Sequence, residues 1–259
     1  MPDGLSSSTR SNRDLWNATS AEYQRLHESE LEGDVLWGPS MPPEATLRVL
    51  GDSVAGKDVL EICCGGGQCS VYLAEQGARA AGVDLSSKQL EHARRLAADH
   101  QVNVRFVESN AEDLSMFPDA SLDIAFSSFA FGFVEDLGRT FREAFRILRP
   151  GGLFAFSWSS PIFVCTELGG DGVIRMSRSY FDRSPIVFDE KEGREVDLHR
   201  TYGDWLRHLV DAGFVVADLW EPEPLPMENT YSDVFPLEKI RKVPGTMIWR
   251  ARKPMRAEW

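Results

Sequence analysis

The sequence predicts an α/β fold organised around one doubly wound, mostly parallel sheet of seven strands. Three observations predict it. Short apolar runs, such as residues 58–62 and 80–84, alternate with stretches of helical periodicity, the pattern of βαβ units whose sheet is covered on both faces. The first run ends on Gly65-Gly66-Gly67 and leads straight into a helix, a turn at which missing Cβ atoms let a ligand meet the backbone. A carboxylate, Asp84, closes the second run 17 residues beyond Gly67. In a nucleotide-binding sheet that position accepts hydrogen bonds from ribose hydroxyls.

The elements follow in order. Residues 1–12 are polar and are expected to be a disordered tail. Residues 13–51 form an N-terminal helical cap: Leu15, Trp16, Tyr23, Leu26 and Leu31 recur at helical spacing, Leu36-Trp37-Gly38-Pro39 breaks the pattern, and a short helix covers 44–50. Residues 52–159 are the Rossmann-like core. Strand 58–62 is followed by a helix over 68–76 with Gly77 as its C-cap. Strand 80–84 precedes a helix capped by Ser86 and running to about His100. Strands at 104–107 and 122–126, a helix over 137–148 stopped by Arg149-Pro150-Gly151-Gly152, and a strand at 153–158 complete this part. Residues 160–199 interrupt the alternation and read as an insertion covering the substrate over the strand ends. Residues 200–259 complete the sheet with a helix over 202–212 and strands at 214–220 and 246–252.

Composition limits the function. The 28 basic and 40 acidic residues leave a net charge of −12, which argues against nucleic acid as partner because binding it requires a basic face to displace phosphate counterions. Lys239, Arg241, Lys242, Arg250, Arg252, Lys253 and Arg256 gather near the C-terminus and read as the charged edge of a terminal strand. Of the four cysteines, Cys63 and Cys64 are adjacent and poorly placed to bridge, and with Cys69 and Cys165 they show no zinc-finger spacing. They are expected to be free thiols in a reducing compartment, with no metal bound. The first residues hold no apolar signal core, and the longest apolar stretch, 124–134, is broken by two serines and too short for a bilayer. A cytoplasmic protein, monomeric or homodimeric and without a membrane partner, is expected.

The glycine loop also discriminates among cofactors. A dinucleotide site wants G-x-G-x-x-G around a pyrophosphate, whereas this chain has Glu61-x-Cys63-x-Gly65-x-Gly67. Glu61 would repel a pyrophosphate and suits an ammonium group. Among nucleoside cofactors, S-adenosylmethionine has a ribose, an ammonium and a sulfonium but no phosphate. With these residues in view, the chain resembles the class I S-adenosylmethionine-dependent methyltransferases, and more closely their small-molecule branch of quinone-ring and natural-product tailoring enzymes. The resemblance runs from about Trp16 to Lys253. Val59 to Gly67 matches the cofactor loop, Gly82-Val83-Asp84-Leu85-Ser86 the ribose turn, and Glu108 to Leu114 the adenine loop. Asp123 to Ser128 matches the fourth strand, and Arg149-Pro150-Gly151-Gly152 the turn before the fifth.

The resemblance implies roles. Glu61 and the backbone at Cys63 and Gly65, in the loop that ends at Gly67, would hold the methionine moiety. Asp84 would bind the ribose, Leu85 would pack on the adenine, and Gln89 lies within reach of the same region. Asn110 and Ala111, with Glu112 beside them, would read the adenine edge, and the Ser127 carbonyl would meet the ammonium. Tyr23 and Trp37 would close over the cofactor as a movable cap. Two departures stand out: Cys63 occupies the family's first loop glycine, and Asn110 its usual aspartate. The methyl acceptor is expected to be a small molecule in an aromatic pocket drawn from Trp16, His27, Phe129, Phe131, Phe163, Tyr180, Phe181, His199 and Tyr202. Oxygen is the first choice of acceptor atom, then carbon or nitrogen. No base follows the fourth strand, so His199 is the candidate general base. That gap leaves room for an alternative, a protein that binds S-adenosylmethionine in a non-methylating role, as a rearrangement or cyclisation enzyme or an inactive regulatory subunit.

Overall fold

A computed structural model describes residues 5–31, 33–227 and 229–255. The seven-stranded sheet has β1 at Asp58–Ile62, β2 at Arg79–Asp84, β3 at Arg105–Glu108, β4 at Leu122–Ser127, β5 at Leu148–Ser159, β10 at Val215–Trp220 and β11 at Thr246–Arg252. Its order is β3-β2-β1-β4-β5-β11-β10. All neighbours pair in parallel except β11, which runs antiparallel to both β5 and β10. Strand order reverses between β1 and β4. In open α/β sheets, ligands bind in the crevice beyond the strand ends at such a switch point. Here those ends are Ile62 and Ser127.

The sheet is buried from both sides. Leu60, Ile62, Val83, Phe154 and Phe156 pack toward Phe131, Phe141 and Trp205 on one face, and Val59, Phe126, Ala155 and Ile248 toward Trp37, Leu50 and Leu73 on the other. Helices α3 (Gln68–Glu75), α4 (Ser87–Asp99), α5 (Leu137–Ile147) and α7 (Tyr202–Asp211) connect the strands. Ser86 caps α4 by accepting from the Gln89 amide, as the sequence predicts. The remaining elements follow β5: α6 (Pro161–Val164), two hairpins formed by β6 (Thr166–Leu168) with β7 (Ile174–Met176) and by β8 (Ile186–Glu190) with β9 (Gly193–Asp197), and later α8 (Leu237–Ile240).

Three local expectations need correction. The disordered tail placed at 1–12 ends early, because α1 spans Ser7–Leu31. The Ser6 hydroxyl accepts from the Thr9 amide, and the Asn12 side chain both donates to the Val196 carbonyl and accepts from the Val196 amide of β9. Residues 1–4 of that tail, and Arg256 of the basic cluster, lie outside the described residues. The short helix α2 is Glu44–Leu47 and stops before Leu50. Arg48 adopts the left-handed conformation, and the buried Glu44 carboxylate takes the Val49 and Leu50 amides at 3.0 and 2.7 Å. Finally, β5 starts at Leu148, the last residue of the expected helix, and runs through the expected turn at 149–152, where Gly151 and Gly152 continue the pairing with Lys253.

Candidate active site

The switch point opens into a cavity of about 230 Å³. Its floor is the loop from β1 to α3. Cys63 (φ +60°), Gly65 (+51°) and Gly67 (+79°) are all left-handed, and a Cβ on Gly65 would meet nothing within 4 Å, so this backbone faces open space. Gly67 serves a different end: its Cβ would lie 2.7 Å from Ala93 and 2.8 Å from the Phe106 ring, so it lets α3 and α4 approach each other and does not line the cavity.

Asp84, at the end of β2, holds the loop. One carboxylate oxygen accepts from the Gly65 amide and the other from the Ser86 amide, both at 2.8 Å. Burial raises the Asp84 pKa, and backbone bonds from Ser86, Gly65 and Leu85 offset part of that. Glu61, 3% exposed, accepts a bond from the Ser70 hydroxyl at 2.5 Å. Burial raises its pKa to about 8, and the Ser70 bond only partly offsets that. A carboxyl with no cation beside it prefers its proton, and an arriving ammonium would reverse the preference. Asn110, Ala111, Leu85 and Gln89 line the same half. The Asn110 amide oxygen already accepts from the Glu112 amide at 3.1 Å, so its part in reading a base is shared with its turn.

The other half is aromatic. Trp16 and Tyr23 from α1, Phe129, Ala130, Phe133 and Val134 after β4, and Tyr231 and Phe235 ahead of α8 form its walls. Trp16 packs edge-on against Tyr23 and Phe133 at 5.0 and 6.0 Å, and Phe129 against Phe235 at 5.5 Å. Three amides join the halves: Gln24 donates to Gln89 at 2.7 Å and accepts from Gln68. A Cβ on Gly66 would stand 2.3 Å from the Gln24 amide, so α1 rests directly on the glycine loop.

The remaining expected site residues lie elsewhere. Trp37 is fully buried and donates to Glu44 at 2.9 Å. It anchors the wall that Leu36 and Gly38 present, and no lid can swing on it. Glu112 accepts from the Asp136 amide, and Ser127 is fully buried while its neighbour Ser128 lines the cavity. Phe131 is packed among Phe141, Phe154 and Phe156 in the core. Phe163 stacks on Phe235 at 4.8 Å, behind the wall. Phe181 is 74% exposed. His199 is buried beneath the insertion and away from the cavity, bonded to the Tyr180 carbonyl at 3.0 Å and 3.7 Å from the Cys165 sulfur, and burial lowers its pKa. The Tyr180 hydroxyl accepts from the Tyr202 amide, and the Tyr202 hydroxyl bonds Glu221. His27 sits behind Tyr231, stacked on it at 4.1 Å. Tyr231, Phe235, Asn12, Gln24 and Gln68 line the cavity without having been singled out in the sequence. The spacing of Asn12, Trp16, Tyr23 and Gln24 along one helical face could have found the α1 members.

The arrangement fits a nucleoside cofactor bearing an ammonium. Gly65 leaves room at the backbone, Asp84 offers a carboxylate braced by two amides, and Glu61 is a buried carboxyl whose ionised form awaits a cation. Among the described residues no helix is long and apolar enough to cross a membrane.

Comparison with known proteins agrees with this geometry. Residues 60–156 match the model of the methyltransferase domain family. The chain is 29% identical over 177 residues to the uncharacterized methyltransferase YbaJ of Bacillus subtilis, covering 65% of this chain and 69% of that one. It is 34% identical over 111 residues to a malonyl-[acyl-carrier protein] O-methyltransferase of Serratia marcescens, 43% of this chain and 42%, less than half, of that one. The crystal structure of an S-adenosylmethionine-dependent methyltransferase from Mesorhizobium loti superposes with a TM-score of 0.68 at 29% identity, covering 80% of this chain and 95% of that one.

Proposed function

Taking as premise that the chain belongs to the class I S-adenosylmethionine-dependent methyltransferases, we propose that it methylates a small, flat, largely apolar molecule, at oxygen before carbon or nitrogen. The observation that carries this reading is one cavity with two unlike halves, Glu61, Gly65 and Asp84 facing Trp16, Phe129, Phe133 and Phe235. The S. marcescens O-methyltransferase supports oxygen as the acceptor atom.

S-adenosylmethionine, when bound, supplies a methyl group on a sulfonium that is already a good leaving group. The chain supplies position and exclusion of water. Asp84 would hold the ribose hydroxyls, Glu61 the ammonium, and Asn110 and Ala111 the adenine edge. Helix α1, seated on Gly66 through Gln24, keeps solvent from the loop. The aromatic walls orient the methyl acceptor, and their π faces favour the sulfonium charge. Holding two reactants in line lowers the barrier by ~7–11 kcal/mol, which leaves little for an acid or base to add. We read the enzyme as cytoplasmic and as a monomer or homodimer.

Calorimetry with S-adenosylhomocysteine, and with NADH as control, tests the cofactor half on wild type and Asp84→Asn. We expect micromolar binding that weakens at least tenfold in the variant, with none for NADH. Labelled methyl transfer is then offered a panel of phenols, carboxylic acids, duplex DNA and protein. Label in DNA or protein overturns the small-molecule reading.

A further inference from the structure

Two tyrosines that line the aromatic half of the cavity meet through their hydroxyls. The Tyr23 hydroxyl of α1 and the Tyr231 hydroxyl, 208 residues apart in sequence, stand 2.7 Å from each other, and either can donate. Both residues line the cavity. Tyr23 directly precedes Gln24, which touches the glycine loop, whereas Tyr231 packs with Phe235 and Phe129 on the aromatic side. The pair thus stands where the two halves join. Its placement is braced from behind: the His27 ring stacks on Tyr231 with 3° between planes, and its Nδ1 lies 2.6 Å from the Thr230 hydroxyl. The segment bearing Tyr231 is tied back through Asn229, whose amide donates to Ser40 at 2.7 Å.

We propose that the Tyr23–Tyr231 hydroxyl pair is the positioning element for the methyl acceptor, accepting a hydrogen bond from a substrate hydroxyl carried on a planar aromatic body. The inference rests on the small-molecule reading above and adds the polar group by which that molecule is oriented. A phenol hydroxyl can both donate and accept. A substrate O–H that donates to the pair is oriented through its hydrogen. Apolar pockets select through a few such groups that fix orientation.

The test uses protein saturated with S-adenosylhomocysteine and two probes of one shape, 4-nitrophenol and 4-nitroanisole. Only the first, measured well below its pKa so that it keeps its proton, can donate to the pair. Wild type should bind the phenol about three- to tenfold more tightly than its methyl ether, the range of one neutral hydrogen bond. Tyr231→Phe should bring that ratio below half its wild-type value while leaving S-adenosylhomocysteine affinity within twofold, and Tyr23→Phe/Tyr231→Phe should abolish it. A merely structural role would weaken both probes together and leave the ratio unchanged, which overturns the assignment, as does failure of either probe to bind the loaded wild type. Wild type that binds no S-adenosylhomocysteine overturns the cofactor reading instead.

Discussion

Glu61→Gln separates the cost of the empty site from its use. A carboxyl that keeps its proton to about pH 8, against an ordinary value of 4.5, makes folding pH-dependent. The folded pKa is raised, so the stability linked to this proton is fully present below pH 4.5 and is lost as pH rises toward 8. At 1.36 kcal/mol per tenfold change in proton activity, the loss is about 3 kcal/mol at pH 7 and about 1 kcal/mol at pH 5. Glutamine has the same shape and no charge to suppress. The variant without ligand should therefore gain on wild type as pH rises, by about 2 kcal/mol between pH 5 and pH 7. In a protein of this size that is a relative Tm change of about 4–8 °C. Glu195 and Asp197, raised by burial to about 7 and about 6, bend both curves alike. S-adenosylhomocysteine should reverse the order, because its ammonium needs the ionised carboxylate. Its affinity should fall at least tenfold in the variant, and binding to wild type near pH 7 should release a proton, visible as a buffer-dependent calorimetric enthalpy. A Tm difference that does not move with pH, together with buffer-independent binding, refutes the argument.

Two further predictions concern the walls. Glu44→Ala strands the Trp37 indole and the Val49 and Leu50 amides in the interior. It should lower the free energy of unfolding by ~3–5 kcal/mol in urea titration, with Glu44→Gln recovering part of the loss; a change below 1 kcal/mol contradicts it. Gly132→Ala places a Cβ 2.0 Å from the Trp158 ring, which packs at 4.9 Å on both Phe129 and Phe133. It should cost ~1–3 kcal/mol and weaken 4-nitrophenol binding several-fold while S-adenosylhomocysteine binding stays near wild type, and equal losses for the two ligands contradict it.

Local patterns carried the cofactor half into view. Glu61, Gly65 and Asp84 lie at the ends of two short apolar strands, and a strand's end in a parallel sheet is its site-forming end. Chain direction and spacing therefore suffice to bring these residues together, and the 3.6- and 2-residue periods suffice to order helices and strands around them. The start of α1 escaped because the face it buries is polar. Thr9, Asn12, Ser20 and Gln24 are each less than 10% exposed, and hydrophobic periodicity does not register a helix seated through amides and hydroxyls.

The methyl-acceptor half was decided by tertiary structure alone. Aromatic residues are equally suited to core and pocket, so composition does not separate Phe129, which lines the cavity, from Phe131, two positions on and fully buried. Trp37 looked like a lid because it follows a helix break, yet its indole satisfies a buried carboxylate and fixes it in the wall. His199 carried a plausible base on chemistry alone, and the folding of the insertion aims it at Tyr180. Tyr231 meets Tyr23 because the chain on either side of it is tied to the N-terminal part, by the Leu225 amide on the Ser40 carbonyl at 2.7 Å and the Asn229 side chain on the Ser40 hydroxyl. Sequence by itself determined the sheet, its glycine loop and the carboxylates of the cofactor half, because those depend on neighbours along the chain. Which aromatic and hydroxyl groups face the methyl acceptor depends on contacts across some 200 residues, and only the packed chain makes them.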